Sequence, residues 1–230
     1  ESRVAATRSL VDALSRRARR ALVLVNASGV GYYGADKDRL FDERWPQGSG
    51  FLAELSAAWE AEAVRAESLG ARVIRLRLGM VLGRHGGALA KMLPPFRLGV
   101  GGAILPGTQW ISWIHRQDVI GLIQWALANT AVSGPLNAVA PGAVTMTEFC
   151  RTLGRVLHRP SWLPVPQFAL RLGLGEMGSL LTTGQRVTPM VALSHSFPFR
   201  YPDLESALRA ILQPEPSAGR PEPLRVRGVL

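Results

Sequence analysis

Three glycines follow directly on an apolar segment, with a spacing that many nucleotide-binding proteins use to bind phosphate. Gly29, Gly31 and Gly34 form the pattern G-x-G-x-x-G after residues 21–28 (ALVLVNAS), a run typical of a strand buried on both faces. A dinucleotide-phosphate site requires a helix that begins inside the motif. The residues that follow, 32–50, have no helical periodicity. We therefore favour a strand end that runs into an irregular active-site loop over a phosphate-binding turn.

The remaining reactive residue types give little support to other chemistry. Cys150 is the only cysteine, which excludes an internal disulfide and fits a reducing compartment, predicted here to be the cytoplasm. No G-x-S-x-G turn surrounds Ser28, which argues against a serine hydrolase. We predict no metal site, because the histidines are too scattered for metal-ligand spacing: His85, His115, His158 and His195.

Predicted strands and helices alternate on both sides of the loop. One helix is predicted over residues 2–20 and another over residues 51–69. Residues 71–78 (ARVIRLRL) predict a strand with its isoleucine and leucines on one face and Arg75 and Arg77 on the other.

The pattern continues downstream. Residues 79–107 are rich in glycine and proline and predict no regular element, whereas short strands are predicted over residues 111–114 and 136–139. Thr145 and Glu148 have the spacing of a capping box and mark the start of a helix. Strands that alternate with helices in this way predict parallel βαβ units, and hence an α/β fold.

Composition bounds the partners of the protein. Hydrophobic residues make up 47% and charged residues 19% of the sequence, as in globular proteins that bury a core. No apolar run reaches the ~18 residues of a membrane-spanning helix. The net charge of +10 shows neither a basic stripe with interleaved aromatic residues nor a nucleic-acid-reading motif, so we predict a solvated basic face and no nucleic-acid or membrane partner. The arginines cluster at two places: Arg16, Arg17, Arg19 and Arg20, and Arg220, Arg225 and Arg227.

Several segments, taken in order, carry a family resemblance. The order ASGVGYYG, FLAELSAAWEAEA, RLRLGMVLG, WIHRQDVIGLI and LNAVAP resembles the extended short-chain dehydrogenase/reductase superfamily. More narrowly, GYYG, the pair Trp59-Glu60, the segment GGALAKMLPPFRLGVGG and the ending from residue 165 are similar to uncharacterised NAD-dependent epimerase/dehydratase-like proteins with a distinctive carboxy-terminal region. The resemblance covers residues 1–212.

The resemblance implies a Rossmann-like, mostly parallel sheet whose amino-terminal βαβ unit is missing, with a small carboxy-terminal lobe. Because the chain begins at Glu1 rather than methionine, we expect a piece of a longer protein. The implied domains are residues 1–160, with a substrate-covering segment at about 84–114, and the lobe at residues 161–212. Residues 213–230 are predicted to be a flexible tail. The implied cofactor is NADP or NAD, with NADP favoured and binding weak or lost in this chain.

The resemblance also implies roles for individual residues. Ser28 would hold the substrate oxygen, although a simple turn residue is the alternative. The superfamily's catalytic tyrosine and lysine are absent, because Leu52 and Ser56 stand at their positions. Tyr32 or Tyr33 is the candidate substitute for proton transfer, the alternative being that both only pack.

Further positions follow from the same comparison. For Arg77 the alternative to cofactor binding is a solvated strand residue, Trp113 has the alternative of a core position, and Asp118 is predicted to be a helix cap rather than catalytic. The positions implied to face the cofactor are Ala27, Ser28, Gly29, Arg77, Gly79, Met80 and Val81. Those implied to contact a substrate are Lys91, Gln109, Trp113 and His115.

Two functions therefore stand as hypotheses. One is an NAD(P)-dependent oxidoreductase or epimerase that acts on a small, sugar-like substrate. The other is a non-catalytic dinucleotide-binding or interaction protein, which the replacement of the tyrosine-lysine pair by Leu52 and Ser56 favours.

Overall fold

The computed structural model describes residues 2–16, 22–163 and 184–212. The predicted tail at residues 213–230 and most of the two arginine clusters lie outside the described residues. None of the described helices combines the length and the apolar character that crossing a bilayer requires. In chain order the elements are α1 (Ser2–Ser15), β1 (Val23–Gly29), β2 (Leu40–Phe41), α2 (Phe51–Val64), β3 (Arg72–Leu78), β4 (Met80–Leu82), α3 (Gly87–Arg97), β5 (Trp110–Ile111), β6 (Trp113–His115), α4 (Arg116–Ala128), β7 (Gly134–Ala138), β8 (Val144–Thr145), α5 (Met146–Leu157), β9 (Arg186–Val187), α6 (Met190–Ser194) and α7 (Leu204–Leu212).

Three parallel strands form the central sheet, in the spatial order β1-β3-β7. α2 lies between β1 and β3 in the chain, and α3 and α4 lie between β3 and β7, so each parallel pair is joined by a helical crossover. Within the described residues β1 is an edge strand, because it pairs on one side only. The α/β fold with parallel strands, predicted from the alternation of elements, is confirmed.

Alternate residues of β3 serve two separate cores. Val73 joins Val11 of α1 in an apolar cluster on one face of the sheet. Ile74 and Leu76 join Leu122 of α4 in a second cluster on the opposite face. The two strand arginines contact α2, so they lie on the face opposite the leucines, as the alternation predicted.

A third core connects α3, α5 and α7. Phe96, Phe149 and Leu208, one from each helix, are all buried in it. The described residues 204–212 therefore pack on the same core as α5. The lobe predicted at residues 161–212 stays a prediction, because residues 164–183 lie outside the described residues.

The structure differs from the predicted elements at two places. The helix predicted over residues 51–69 ends at Val64 and continues as the 3₁₀ turn Arg65–Leu69. The stretch 79–107, predicted to be irregular, contains β4 and α3. α3 was missed because Pro94 and Pro95 lie inside it, although its buried residues Leu89, Leu93 and Phe96 have helical spacing.

Two side-chain arrangements fix helix ends. The predicted capping box is confirmed: Thr145 Oγ accepts from the Glu148 N–H at 3.2 Å, and the Glu148 carboxylate accepts from the Thr145 N–H at 2.8 Å. Arg72 caps the other end of a helix, since its guanidinium donates to the Ala126 and Leu127 carbonyls of α4 and to the Val132 carbonyl.

Replacement of Arg72 by methionine keeps an apolar stem and removes three charged hydrogen bonds. We expect the free energy of unfolding in urea to fall by about 2–3 kcal/mol. Arg151→Met is the matched control, because Arg151 is exposed on α5, and its effect is expected to stay within about 0.5 kcal/mol. Equal losses in the two variants would contradict the capping role of Arg72.

Candidate functional site

Three polar side chains stand side by side at the carboxyl ends of the central strands. Ser28 of β1 is in register with Arg77 of β3, which is in register with Asn137 of β7. All three are buried. The carboxyl edge of a parallel sheet is where α/β proteins bind ligands, so this buried polar row marks the candidate site.

Glu60 reaches the row from α2. Its carboxylate accepts from Arg77 Nε at 2.8 Å and Nη2 at 2.9 Å, and from Ser28 Oγ at 2.8 Å. A second arginine, Arg75, lies 3.6 Å from the same carboxylate. Glu60 and Arg77 are each 2% exposed, so Arg77 is not the solvated strand residue that the sequence allowed. Burial acts to lower the pKa of Arg77, but the hydrogen bond and charge of Glu60 outweigh it and hold that pKa above its ordinary value.

Tyr33 continues the network from the 3₁₀ turn Val30–Tyr33. Its hydroxyl oxygen accepts from Arg77 Nη1 at 2.9 Å, and its hydroxyl hydrogen is donated to Asn137 Oδ1 at 2.7 Å. Its ring stacks on Phe41 with 5.2 Å between ring centres. Burial raises the pKa of Tyr33 to about 12, despite the nearby guanidinium. The structure thus places Tyr33 in the support of the site rather than in proton transfer near neutral pH.

Tyr32, the other tyrosine of the turn, differs in its surroundings. It is half-buried, and within the described residues its hydroxyl makes no hydrogen bond. The guanidinium carbon of Arg77 lies 3.5 Å from its ring centre, a cation–π contact that holds the ring in place. Of the two tyrosines proposed for proton transfer, Tyr32 is the one whose hydroxyl has no hydrogen-bond partner among residues 2–16, 22–163 and 184–212.

The glycine motif forms the turn that carries both tyrosines. No α-helix begins inside it, because the 3₁₀ turn Val30–Tyr33 is followed by a loop that contains only the two-residue strand β2. Gly34 has a φ of +70°, a conformation that side chains other than glycine rarely adopt. The Gly48 N–H donates to the Tyr32 carbonyl at 3.0 Å, which ties the two ends of the loop together. The preference for an irregular loop over a phosphate-binding turn is confirmed.

One apolar side chain and one hydroxyl side chain occupy the places that the resemblance assigned to a catalytic tyrosine and lysine. Leu52 is 37% exposed in the first turn of α2, and a β-carbon added to Gly31 would lie 3.1 Å from the Leu52 β-carbon. Ser56 is buried one turn later. Neither side chain can transfer a proton near neutral pH.

The predicted cofactor positions divide into two groups. Ala27, Gly29, Met80 and Val81 are half-buried at or beside the strand ends, and a β-carbon added to Gly29 would find no atom closer than 3.9 Å. The half-buried Gly79 is packed instead, since a β-carbon there would lie 2.4 Å from the Ser112 carbonyl oxygen. The side chains of Ser28 and Arg77 are committed to Glu60, so only their backbones are available to a ligand.

The predicted substrate contacts are not brought together. Lys91 is exposed on α3. Gln109 is buried, donates to the Ile104 carbonyl at 3.0 Å, and borders a cavity of about 150 Å³ that Lys37 and Trp110 also line. Trp113 is a core residue, completely buried, with its indole donating to the Gly142 carbonyl at 2.8 Å.

His115 and Asp118 organise the start of α4. His115, the fourth predicted substrate contact, is the helix cap: it is 6% exposed and its Nδ1 accepts from the Gln117 N–H at 3.1 Å. Asp118 was predicted to be the cap, but it lies in the first turn and accepts from the Arg200 and Tyr201 N–H groups at 2.8 and 3.0 Å. Because both of its carboxylate oxygens accept from these backbone N–H groups, Asp118 anchors the segment around residues 200–201 to α4.

Three site residues escaped prediction from the sequence. The sequence indicated Glu60 only as half of a Trp-Glu pair and Asn137 only as part of the LNAVAP segment of the resemblance, whereas Glu43 belongs to no pattern. Glu43 is 7% exposed, and its Oε1 accepts from the Asn137 N–H at 3.0 Å. No group of three or more His, Cys, Asp or Glu residues in the described chain could hold a metal ion.

Comparison with protein-family models decides the affiliation. The model of the NAD dependent epimerase/dehydratase family matches residues 1–138, and a domain of unknown function (DUF1731) matches residues 165–211. The chain belongs to the NAD dependent epimerase/dehydratase family. Its resemblance to NAD-dependent epimerase/dehydratase-like proteins, inferred from the motif order, is thereby confirmed.

Individual relatives of this epimerase/dehydratase-family chain agree. It is 45% identical over 214 residues to the chloroplastic SDR39U1 homolog of Arabidopsis thaliana, an epimerase family protein, covering 92% of this chain and 61% of that protein. It is 40% identical over 212 residues to YfhF of Bacillus subtilis, covering 92% and 70%. The crystal structure of human SDR39U1 (isoform 2) with NADPH superposes with a TM-score of 0.86 at 36% identity, covering 91% and 72%, which confirms the Rossmann-like fold.

Removal of one member of the Glu60–Arg77 pair should cost more stability than removal of both. Glu60→Leu leaves a buried guanidinium without its carboxylate, and we expect the free energy of unfolding to fall by about 3–5 kcal/mol. Glu60→Leu combined with Arg77→Met removes both charges of the fully buried pair, leaves only the half-buried Arg75 beside the position, and should recover at least about 1 kcal/mol of that loss. Urea unfolding measures both, and a double variant less stable than Glu60→Leu would contradict the assignment.

His115 should make stability depend on pH in acid. Burial lowers the pKa of His115 to about 4 from an ordinary value near 6.5, so between these values the unfolded chain binds the proton and the folded chain does not. This contribution is complete above pH 6.5 and is lost as the pH falls towards 4, by at most about 3 kcal/mol. His115→Asn keeps a capping acceptor and should flatten the slope, measured by urea unfolding at several pH values. His85→Asn, at an exposed site, is the control, and an unchanged slope in His115→Asn would refute the prediction.

Proposed function

We propose that the chain forms the substrate side of an NAD(P)-dependent oxidoreductase or epimerase that acts on a small, sugar-like molecule. The observation that carries the proposal is the buried Glu60–Arg77 pair at the carboxyl edge of three parallel strands, with Tyr32 held over it at 3.5 Å. A desolvated ion pair at a ligand-binding edge fixes side chains to a degree that simple packing does not require.

The proposed cofactor is NADP(H), which would supply hydride transfer at its nicotinamide ring. Human SDR39U1, at 36% identity, was solved with NADPH. The strand ends of this chain fit such a ring, because Gly29 presents backbone without a side chain and Ala27, Met80 and Val81 offer half-buried apolar surfaces. Since the chain spans 61–72% of these relatives, the activity of the whole protein belongs to the proposal.

Within this site we assign proton transfer to Tyr32. Its hydroxyl makes no hydrogen bond within the part of the chain that the structure describes, whereas the hydroxyl of Tyr33 makes two and that of Ser28 donates to Glu60. Ser28 then orients the Glu60 carboxylate through its hydroxyl, and its backbone remains available to a ligand. The aromatic face of Tyr32 toward Arg77 leaves its edge and hydroxyl for the ligand.

A second candidate is a dinucleotide-binding protein without catalysis. Leu52 and Ser56 favour it, because they put an apolar and a hydroxyl group where the superfamily places its proton-transfer pair. In both candidates the partner is a small molecule rather than nucleic acid or membrane. The proposal includes a cytoplasmic location only because the sequence has a single cysteine, which fits a reducing compartment. One relative, by contrast, is named chloroplastic.

One titration followed by one screen separates the candidates. The chain, and a form extended at its amino end, are titrated with NADPH and NADH while cofactor fluorescence is followed, and are then screened with carbonyl compounds and nucleotide sugars. We expect NADPH to bind the extended form and to bind this chain weakly. Absence of binding in both forms would refute both candidates.

Tyr32→Phe tests the catalytic assignment in the form that binds NADPH. It should lower turnover by about 100-fold or more, the usual contribution of a positioned acid or base, while cofactor affinity stays within about twofold. Tyr201→Phe is the matched control, because among the described residues the Tyr201 hydroxyl donates only to the exposed Gln117 side chain. Binding without turnover in the unmodified protein, across the whole screen, would favour the non-catalytic candidate.

A further inference from the structure

A short segment from the carboxy-terminal region crosses the carboxyl edge of the sheet. Residues 185–191, here called the strap, bind in turn Ser112 between β5 and β6, then β2 and then β7. Ser112 Oγ donates to the Gln185 carbonyl at 2.7 Å and accepts from the Val187 N–H at 2.9 Å. The Thr188 N–H donates to the Phe41 carbonyl at 2.9 Å.

Asn137 joins the strap to the buried network. Its side chain donates from Nδ2 to the Thr188 carbonyl at 2.9 Å, while its Oδ1 accepts from the Tyr33 hydroxyl at 2.7 Å. Asn137 is completely buried, so water cannot replace either bond. The amide thus has one end on the strap and the other on the turn that carries the tyrosines.

The donor and acceptor groups fix the direction of each hydrogen bond in the series that runs from the strap to Arg77. The Thr188 carbonyl can only accept, so the Asn137 amide must present its nitrogen to the strap and its oxygen to Tyr33. That oxygen can only accept, so Tyr33 must donate its hydrogen to it. The Tyr33 oxygen is then left to accept from Arg77, whose other nitrogens hold Glu60.

Glu43 supplies a second connection between the same parts. Its Oε1 accepts from the backbone N–H of Asn137 at 3.0 Å and from that of Val191, on the strap, at 3.3 Å. Within the described residues its Oε2 is buried and has no hydrogen-bond partner. One carboxylate oxygen therefore holds the outer edge of β7 against the strap.

We propose that the strap is a working part of the site, and that Asn137 and Glu43 are positioning residues that transmit its placement to Tyr33 and Arg77. The Thr188 carbonyl keeps Tyr33 a neutral donor, and this in turn keeps the Arg77 guanidinium beneath Tyr32. The strap lies within residues 165–211, which the domain of unknown function matches. This part of the domain then has a role, which is to determine which groups of the site donate and which accept hydrogen bonds. The inference deepens the proposed function, but it depends only on contacts within this chain.

Amide-resolved hydrogen exchange of the chain without cofactor tests the inference. Asn137→Asp keeps the shape and an acceptor for Tyr33 but removes the donor to Thr188, so exchange at the Val187 and Thr188 amides should rise by about 10-fold or more relative to α5 amides. Tyr33→Phe leaves the strap's own bonds in place yet frees the Asn137 amide, and should raise the same amides by about 2- to 10-fold.

Tyr201→Phe is the control, because it removes one hydroxyl from a tyrosine outside the network, and it should leave the strap amides unchanged. If Asn137→Asp does not fold, Tyr33→Phe alone decides. If strap exchange, normalised to that of the α5 amides, does not rise above its level in the unmodified chain in any folded variant, the inference is overturned. Because no cofactor is used, this result is independent of whether NADPH binds or turns over.

Discussion

The buried ion pair between Glu60 and Arg77 constrains the rest of the site. An arginine at 2% exposure is tolerable only if a carboxylate meets it with good geometry and the remaining donors are also satisfied. α2 must therefore lie where Glu60 reaches β3, Ser28 must donate its hydroxyl hydrogen to Glu60, and Tyr33 must present its hydroxyl oxygen to Arg77. One strand, one helix and one turn are thus fixed relative to each other, because two charges buried away from water must be paired.

The hydrogen bonds among these side chains hold them rigidly and also occupy their polar groups. Ser28, Glu60, Arg77 and Tyr33 hydrogen-bond one another, so what they leave accessible at the site is backbone, small apolar side chains and the half-buried ring of Tyr32. This hydrogen-bonded support is present in the chain, while Leu52 and Ser56 stand at the positions that the resemblance assigns to the proton-transfer pair. Support and chemistry are in this sense separable parts of the scaffold.

Much of the fold could be predicted from the sequence, because its patterns are local. The alternation in β3 and the capping box of α5 are written in neighbouring residues. The role of Arg77 was not predictable, since its carboxylate comes from another element 17 positions earlier, and nothing local distinguishes a paired strand arginine from a solvated one. Glu43 and Asn137, 94 positions apart, meet only in the folded chain. α3 was hidden for a different reason, as its prolines obscured an otherwise helical spacing.

Within the residues that the structure describes, β1 pairs on one side only, and this has a consequence for the behaviour of the chain in solution. The strand runs Val-Leu-Val-Asn-Ala-Ser-Gly, with neither charge nor proline, and its outer backbone groups face away from β3. Natural edge strands avoid such composition, because a bare row of amide and carbonyl groups is a template for any further strand. Colloidal stability of this chain therefore depends on what covers that edge, and its net charge of +10 supplies the long-range repulsion that opposes association.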